Sequence, residues 1–240
     1  MTTAIVLAGG LGTRLRSEVA DLPKPMAPIA GRPFLEHQLN YWIAQGVRRF
    51  VLSIGYLPQT IVDHFGAAYK GAALEYVIEK TPMGTGGGLL LAVEQSGIDE
   101  PFLALNGDTY FAADLSVLKD FAAAHDADWC FSLFRTSEPG RYMGMEVSGH
   151  GMITALQTDT AQRDRFANGG VYWIEPRMLK ERYGLTGKIS LEDDFLPAAL
   201  RAGKRLCGVE FPGTFIDIGV PADYRRAQTL LAGTGQQSTI

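Results

Sequence analysis

AIVLAGGLGTRLRSEVADLPKPM runs from Ala4 to Met26. Its first five residues, Ala4-Ile5-Val6-Leu7-Ala8, form a short apolar run of the kind that makes a buried strand ending in a turn. The turn that follows holds Gly9, Gly10 and Gly12, with Thr13 and Arg14 behind them. Glycines leave backbone N–H groups uncovered and permit φ > 0 where a loop must fold over. A row of such N–H groups at the carboxyl end of a strand is an anion nest suited to phosphate. Arg14 and Lys24 add positive charge, and Pro23 and Pro25 stiffen the backbone on either side of Lys24, lowering the entropy lost in aiming its ammonium. Together these features read as a cradle for a nucleoside triphosphate. It is not a Walker loop, because no Lys-Ser or Lys-Thr follows the glycines, and Leu15 stands where a dinucleotide fingerprint has its third glycine.

The rest of the chain bounds the setting. It has 240 residues, 46% hydrophobic and 20% charged, an ordinary globular composition. A net charge of −4 with no basic block argues against nucleic acid or an anionic membrane as partner. The N-terminal apolar run is broken by Gly9-Gly10 and has no basic residue before it, unlike a signal peptide. No segment approaches ~20 consecutive apolar residues, so no membrane span is expected. A cytoplasmic location is the expectation. Cys130 and Cys207 lie in apolar, strand-like runs and read as inert core thiols.

Going outward from the opening stretch, apolar periodicity predicts helices over 34–43, 59–65, 87–95, 115–125, 176–182, 190–202 and 222–231. Strands are predicted over 49–54, 74–79, 102–105, 128–134, 168–174, 206–211 and 214–218. Such alternation calls for an α/β fold: a Rossmann-like, mostly parallel sheet flanked by helices. Between Arg141 and Leu156 Gly-rich turns separate short pieces, which reads as a small antiparallel cap over the sheet's carboxyl edge. Ser190-Leu191-Glu192-Asp193 has the form of a capping box. No linker or internal repeat interrupts the chain, so residues 1–233 are expected to be a single domain, followed by a polar, disordered tail at 234–240.

Two carboxylates stand just past buried strands, Asp108 in Asn106-Gly107-Asp108 and Asp217 in Asp217-Ile218-Gly219-Val220-Pro221. Ligands collect there in open α/β sheets. Mg²⁺ takes one or two carboxylates plus phosphate oxygens and water, so this pair suffices for a site, although either Asp alone reads equally well as a turn cap. The four histidines form no ligand pair, and no nucleophile–base arrangement stands out.

Leu7-Ala8-Gly9-Gly10-Leu11-Gly12-Thr13-Arg14-Leu15 followed by Pro23-Lys24-Pro25-Met26 resembles the signature of the sugar-1-phosphate nucleotidyltransferases, and the resemblance extends to about Leu230. It implies the nucleotide-diphospho-sugar transferase fold, with Arg14 and Lys24 as catalytic residues and Asp108 and Asp217 as ligands of Mg²⁺. The nucleotide would be held by Leu7, Ala8, Gly9, Gly10, Gly12, Thr13, Glu79, Gly84 and Thr85. Glu79 stands where thymidylyl members commonly carry Gln. A carboxylate only accepts hydrogen bonds; guanine offers it two adjacent donors, whereas a uracil or thymine edge sets carbonyl oxygens against it, so GTP is the expected nucleotide. A surface Glu paired with a nearby cation is the plainer reading of Glu79 taken alone.

The sugar side departs further from the family pattern. Asn168-Gly169-Gly170-Val171-Tyr172 resembles the family's N-x-G-x-Y strand, and Arg141-Tyr142-Met143-Gly144 its R-Y-G with Met143 interposed. The resemblance implies Asn106, Gly144, Asn168, Gly169 and Glu192 as sugar-binding residues. Many members also carry Glu-Lys, the Lys binding the sugar phosphate, where this chain has Gln157-Thr158; Arg163, Arg165 and Lys188 are the candidate replacements.

Within the family, the runs Asp21–Pro28, Asn106–Phe111 and Ser190–Phe195 are similar to the small bacterial D-glycero-α-D-manno-heptose-1-phosphate guanylyltransferases, which make GDP-heptose for capsule and other surface polysaccharides. The partners implied are GTP and a sugar 1-phosphate, and the resemblance leaves room for a homodimer. Three alternatives stand beside it: a mannose-1-phosphate guanylyltransferase, a uridylyltransferase for N-acetylmuramate or another sugar 1-phosphate, and a non-catalytic nucleotide-sugar-sensing module. The last predicts loss of Arg14, Lys24 or one Asp, and all are present.

Overall fold

A computed structural model describes residues 1–10, 12–138, 140–157 and 164–233. In chain order its strands and helices are β1 (Thr2–Ala8), β2 (Pro28–Ile29), β3 (Arg32–Pro33), α1 (Phe34–Ala44), β4 (Val47–Ile54), α2 (Pro58–Phe65), β5 (Ala68–Tyr69) and β6 (Ala72–Ile78). Then come α3 (Gly84–Ser96), β7 (Phe102–Asn106), β8 (Thr109–Phe111), α4 (Leu115–Ala124), β9 (Trp129–Thr136), β10 (Gly144–Val147) and β11 (Ile153–Gln157). The chain continues through β12 (Arg165–Ile174), α5 (Leu196–Arg201), β13 (Leu206–Glu210), β14 (Phe215–Asp217) and α6 (Pro221–Leu230). Strands β7-β1-β4-β6 form the parallel centre of a ten-stranded mixed sheet, in which β12 joins β7 antiparallel.

β1 lies between β4 and β7, which explains its apolar run Ala4–Ala8: a central parallel strand is covered on both faces. Side chains alternate across the sheet. Ala4, Val6 and Ala8 face a core shared with Leu39 and Trp42 of α1 and Ile61 of α2. Ile5 faces the opposite core, with Leu89 of α3 and Leu196 of α5. A third cluster joins Leu15 of the glycine loop to Phe34, Ile216, Ile218 and Ala227, so α6 is packed against the loop it helps to support.

Several expected elements differ in detail. The 141–156 ribbon is antiparallel, but β10 pairs with β12 and so extends the main sheet; two separate small antiparallel sheets are β8/β14 and β2/β3. α3 starts at Gly84, because the N–H groups of Gly86 and Gly87 both donate to Ile189 O, at 2.9 and 3.2 Å, an anchor from a distant segment. Pro176–Lys180 is a 3₁₀ turn. Ser190 caps as expected, its Oγ accepting from Asp193 N–H at 3.1 Å, but the reciprocal carboxylate is that of Asp194, 2.8 Å from Ser190 N. The first turn there, Leu191–Phe195, is π-helical before α5 begins. Cys130 and Cys207 are buried and in register on β9 and β13, and the neighbouring thiol together with burial pushes the Cys130 thiol up, leaving it uncharged. Among the described residues no helix is long and apolar enough to cross a membrane. The expected tail, 234–240, lies outside the described residues.

Candidate active site

β1, β4 and β7 end together at Ala8, Ile54 and Asn106, and the candidate residues gather outside these carboxyl ends. Glu79 follows β6, its N–H bonded to Ile54 O at 2.8 Å. Its carboxylate turns beneath the glycine loop, where Oε1 accepts from Ser53 Oγ at 3.1 Å and Oε2 from Met83 N–H at 3.2 Å. A Cβ on Gly9 would overlap this carboxylate, and one on Gly88 would come within 2.7 Å of it. Two glycines from distant elements therefore make room for one acidic side chain.

Across the same pocket the α3 N-terminus meets the segment before α5. Gly84 has φ +78° and a Cβ there would strike Ile189 O, so both backbone and space require glycine. Thr85 Oγ1 accepts from Leu191 N–H at 2.8 Å and donates to Glu192 Oε2 at 3.1 Å. Burial pushes the Glu192 carboxyl up, and the Thr85 hydroxyl partly offsets this.

The charged centre lies next to it. Lys24 Nζ is 2.5 Å from Asp108 Oδ2. Asp108 is carried by a turn pinned at Gly107 N–H to Leu7 O (2.9 Å), and its own carbonyl accepts from Ile218 N–H at 3.0 Å. Thr109 is in register with Asp217 across the β8/β14 pair. Asp217 Oδ1 accepts from Gly219 N–H at 2.6 Å. A point one bond from Gly219 Cα lies 2.7 Å from Asp217 Oδ1, 3.1 Å from Lys24 Nζ and 3.5 Å from an Arg14 guanidinium nitrogen. Burial and the Asp108 charge push Asp217 up; Lys24 and, more weakly, Arg141 hold it down.

These groups line two adjoining cavities of about 500 and 510 Å³. Leu7, Gly10, Gly12, Thr85, Glu192 and Asp193 form the seam common to both. Gly9, Thr13, Glu79 and Gly84 belong to one lobe; Ala8, Arg14, Lys24, Asn106, Asp108, Asn168 and Asp217 to the other. Two expected sugar contacts are not on the wall. Gly169 turns toward the core, where a Cβ would overlap the Phe111 ring, and its neighbour Gly170 lines the cavity in its stead. Gly144 is buried in the β10 ladder, and Arg141, Tyr142 and Met143 line the lobe just before it. Asn168 reaches the wall with its amide engaged, donating to the Tyr172 hydroxyl at 2.8 Å and accepting from Gly170 N–H at 3.0 Å.

Of the candidate phosphate-binding residues, Arg163 lies outside the described residues, as does Thr158, where the family's Lys is missing. Arg165 is buried and donates to the carbonyls of Tyr142 (3.2 Å) and Glu138 (3.5 Å). Lys188 is on the wall of the Glu79 lobe. Sequence reading missed Gln38, whose amide donates to Asn106 O at 2.8 Å and to Thr109 O, gripping the turn that carries Asp108 from both sides. The available signal was spacing: Gln38 falls three residues after Leu35 and four before Trp42, on the apolar face of α1. It also missed the ion pair between Arg141 and Asp223, which nothing in the local sequence announces.

Asp217 and Asp108, which directly precedes the register partner Thr109, repel one another, and such a pair suits a divalent cation. Among the described residues no group of three or more His, Cys, Asp or Glu side chains is placed to hold a metal ion by itself, and Mg²⁺ shared with phosphates does not need one.

Residues 3–233 match the family model described as Nucleotidyl transferase. The D-glycero-alpha-D-manno-heptose 1-phosphate guanylyltransferase of Aneurinibacillus thermoaerophilus is 39% identical over 225 residues, 94% of this chain and 96% of that protein. The enzyme of the same name from Campylobacter jejuni is 34% identical over 221 residues, 92% and 96% respectively. The crystal structure of HddC from Yersinia pseudotuberculosis complexed with GMP-PN superposes with a TM-score of 0.80 at 31% identity, covering 96% of this chain and 100% of that one.

Proposed function

The chain belongs to the nucleotidyl transferase family, and we propose that it transfers GMP from GTP to D-glycero-α-D-manno-heptose 1-phosphate, releasing pyrophosphate, as one domain over residues 1–233. The observation that carries this reading is the meeting of Arg14, Lys24 and Asp217 around Gly219, in a cleft that continues past the shared seam to Glu79. Charge of both signs at such a junction suits two phosphorylated substrates meeting there.

The nucleotide lobe takes GTP. Glu79 accepts from Ser53 and Met83 and keeps lone pairs for the N1–H and exocyclic amine of guanine. The second lobe takes the sugar phosphate. An oxygen of its phosphate attacks the α-phosphorus; that P–O bond forms as the α–β bridge breaks and pyrophosphate leaves. A phosphate monoester dianion is already a nucleophile, so the work of the protein is alignment and charge neutralisation. Arg14 stabilises charge on the departing pyrophosphate, and Lys24 turns from Asp108 to the phosphates of the reacting pair. Asp108 and Asp217 would hold Mg²⁺, which when bound supplies further positive charge to the phosphates. Gly9 and Gly84 keep the walls close, and Glu192, held by Thr85, accepts from a sugar hydroxyl. GTP and its use in an activated sugar for surface glycans fit a cytoplasmic enzyme.

The test is pyrophosphate release with Mg²⁺, crossing the four common nucleoside triphosphates against a panel of sugar 1-phosphates. GTP with the heptose 1-phosphate is expected to turn over best, and mannose 1-phosphate more weakly. A preference for UTP or dTTP would overturn the role of Glu79. Nucleotide binding with no release under any pairing would make the protein a sensor.

A further inference from the structure

The sugar lobe has a third cation on its wall besides Arg14 and Lys24, and this is Arg141. Its side chain is 25% exposed and held on three sides. One terminal nitrogen is paired with Asp223 and the other lies 2.8 Å from Glu138 Oε2, while the guanidinium sits 4.9 Å from the centre of the Tyr142 ring. Asp223 is itself buried in the first turn of α6, with a weaker second partner in Arg226 at 3.6 Å. A guanidinium has five donors in a fixed fork, so these two pairings leave N–H groups for a further acceptor, and an arginine so braced has little rotamer freedom left to lose. α6 begins four residues after Asp217. One short stretch therefore supplies both the carboxylate beside Lys24 and the anchor that aims Arg141.

The two alternatives among the described residues face elsewhere. Arg165 is directed to backbone carbonyls, and Lys188 lines the nucleotide lobe. Resting on the transfer reading above, we propose that Arg141, aimed by Asp223, binds the phosphate of the sugar 1-phosphate. Arg141 is the binding residue and Asp223 its positioning residue. The ligand class is a phosphate monoester on an anomeric carbon, which an arginine fork grips through two oxygens at once.

Steady-state kinetics of Arg141→Met, Arg141→Lys, Asp223→Asn and Arg163→Met, with both substrates varied, test this. Losing a charge-assisted phosphate contact should raise KM for the sugar 1-phosphate about 10- to 100-fold in Arg141→Met, with KM for GTP within about 2-fold of the parent. Arg141→Lys should recover part of the loss, and Asp223→Asn should shift the same KM in the same direction. A strut with no substrate contact would lower the melting temperature and disturb both KM values together. Because Arg141→Met strands a buried Asp223, the lysine and asparagine variants carry the test if it fails to fold. Unchanged KM for the sugar 1-phosphate in Arg141→Lys and Asp223→Asn, or a rise confined to Arg163→Met, overturns the proposal. Transfer absent from the unsubstituted protein would overturn the reading beneath it, whereas transfer with an unshifted KM overturns only the role of Arg141.

Discussion

Lys24 Nζ sits 2.5 Å from Asp108 Oδ2, so the cation proposed to act on the phosphates covers a carboxylate proposed to ligate Mg²⁺. The two roles compete until phosphates draw the lysine away. Lys24→Met should therefore have two effects of opposite kind. Turnover should fall by about 10²–10³, the usual effect of deleting one preorganised charge. Mn²⁺ binding without nucleotide, followed by electron paramagnetic resonance, should tighten, because Asp108 is freed. Unaltered Mn²⁺ affinity would remove Asp108 from the metal site.

Glu79→Gln exchanges an acceptor-only group for one that places a donor against the guanine N1–H edge. With one charge-assisted hydrogen bond lost, kcat/KM for GTP should drop about 10- to 100-fold. Activity with UTP, measured in the same assay, should rise relative to GTP. Equal losses for all four nucleotides would mean that Glu79 only supports the loop through Ser53 and Met83.

Gly169 separates packing from sugar binding. Its Cα faces Phe111 and Ser132 in the core, so Gly169→Ala overpacks the sheet, destabilising by about 1–3 kcal/mol. Denaturant unfolding should register that loss while KM for the sugar 1-phosphate stays at its original value. A raised KM with intact stability would return Gly169 to the sugar site.

Glu192 ties stability to pH. Burial, the largest cause, raises its carboxyl above the ordinary value of 4.5, with smaller contributions from Asp193 and Asp108. A group raised on folding is bound to its proton more tightly in the folded state, so folding is penalised once the proton is lost. The penalty is absent well below 4.5 and grows as pH rises through the folded value. Glu192→Gln keeps an acceptor for Thr85 and carries no charge. It should melt at the same temperature as the parent in acid and at a higher one at pH 7 to 8, while transfer falls. A parallel offset at all pH values would show that the carboxylate charge is not the cause.

The fold class and the glycine loop that lines the cleft were legible from local chemistry. An apolar run followed by glycines, an arginine and a proline-braced lysine carries its meaning within 23 residues (Ala4–Met26), because a buried parallel strand and an anion-binding turn each impose composition on contiguous positions. Asp108 and Asp217 were legible as cleft residues for the same reason: each stands at, or within two residues of, the end of a strand.

What the tertiary structure decided concerns partners far apart in the chain. That Gly9 and Gly88 both clear space for Glu79, that Gln38 grips the Asp108 turn, and that Asp223 aims Arg141 into the sugar lobe are contacts across 9 to 82 positions. The two sugar-site residues assigned from sequence and absent from the wall, Gly144 and Gly169, sit in or beside residues that do line it. Side chains alternate across a strand, so a shift of one residue moves a position from cleft to core. Motif spacing alone does not carry the face on which a strand residue lies. That is set by pairing and by the β12 irregularity between Asn168 and Tyr172, which turns Gly170 to the cleft and Gly169 to Phe111.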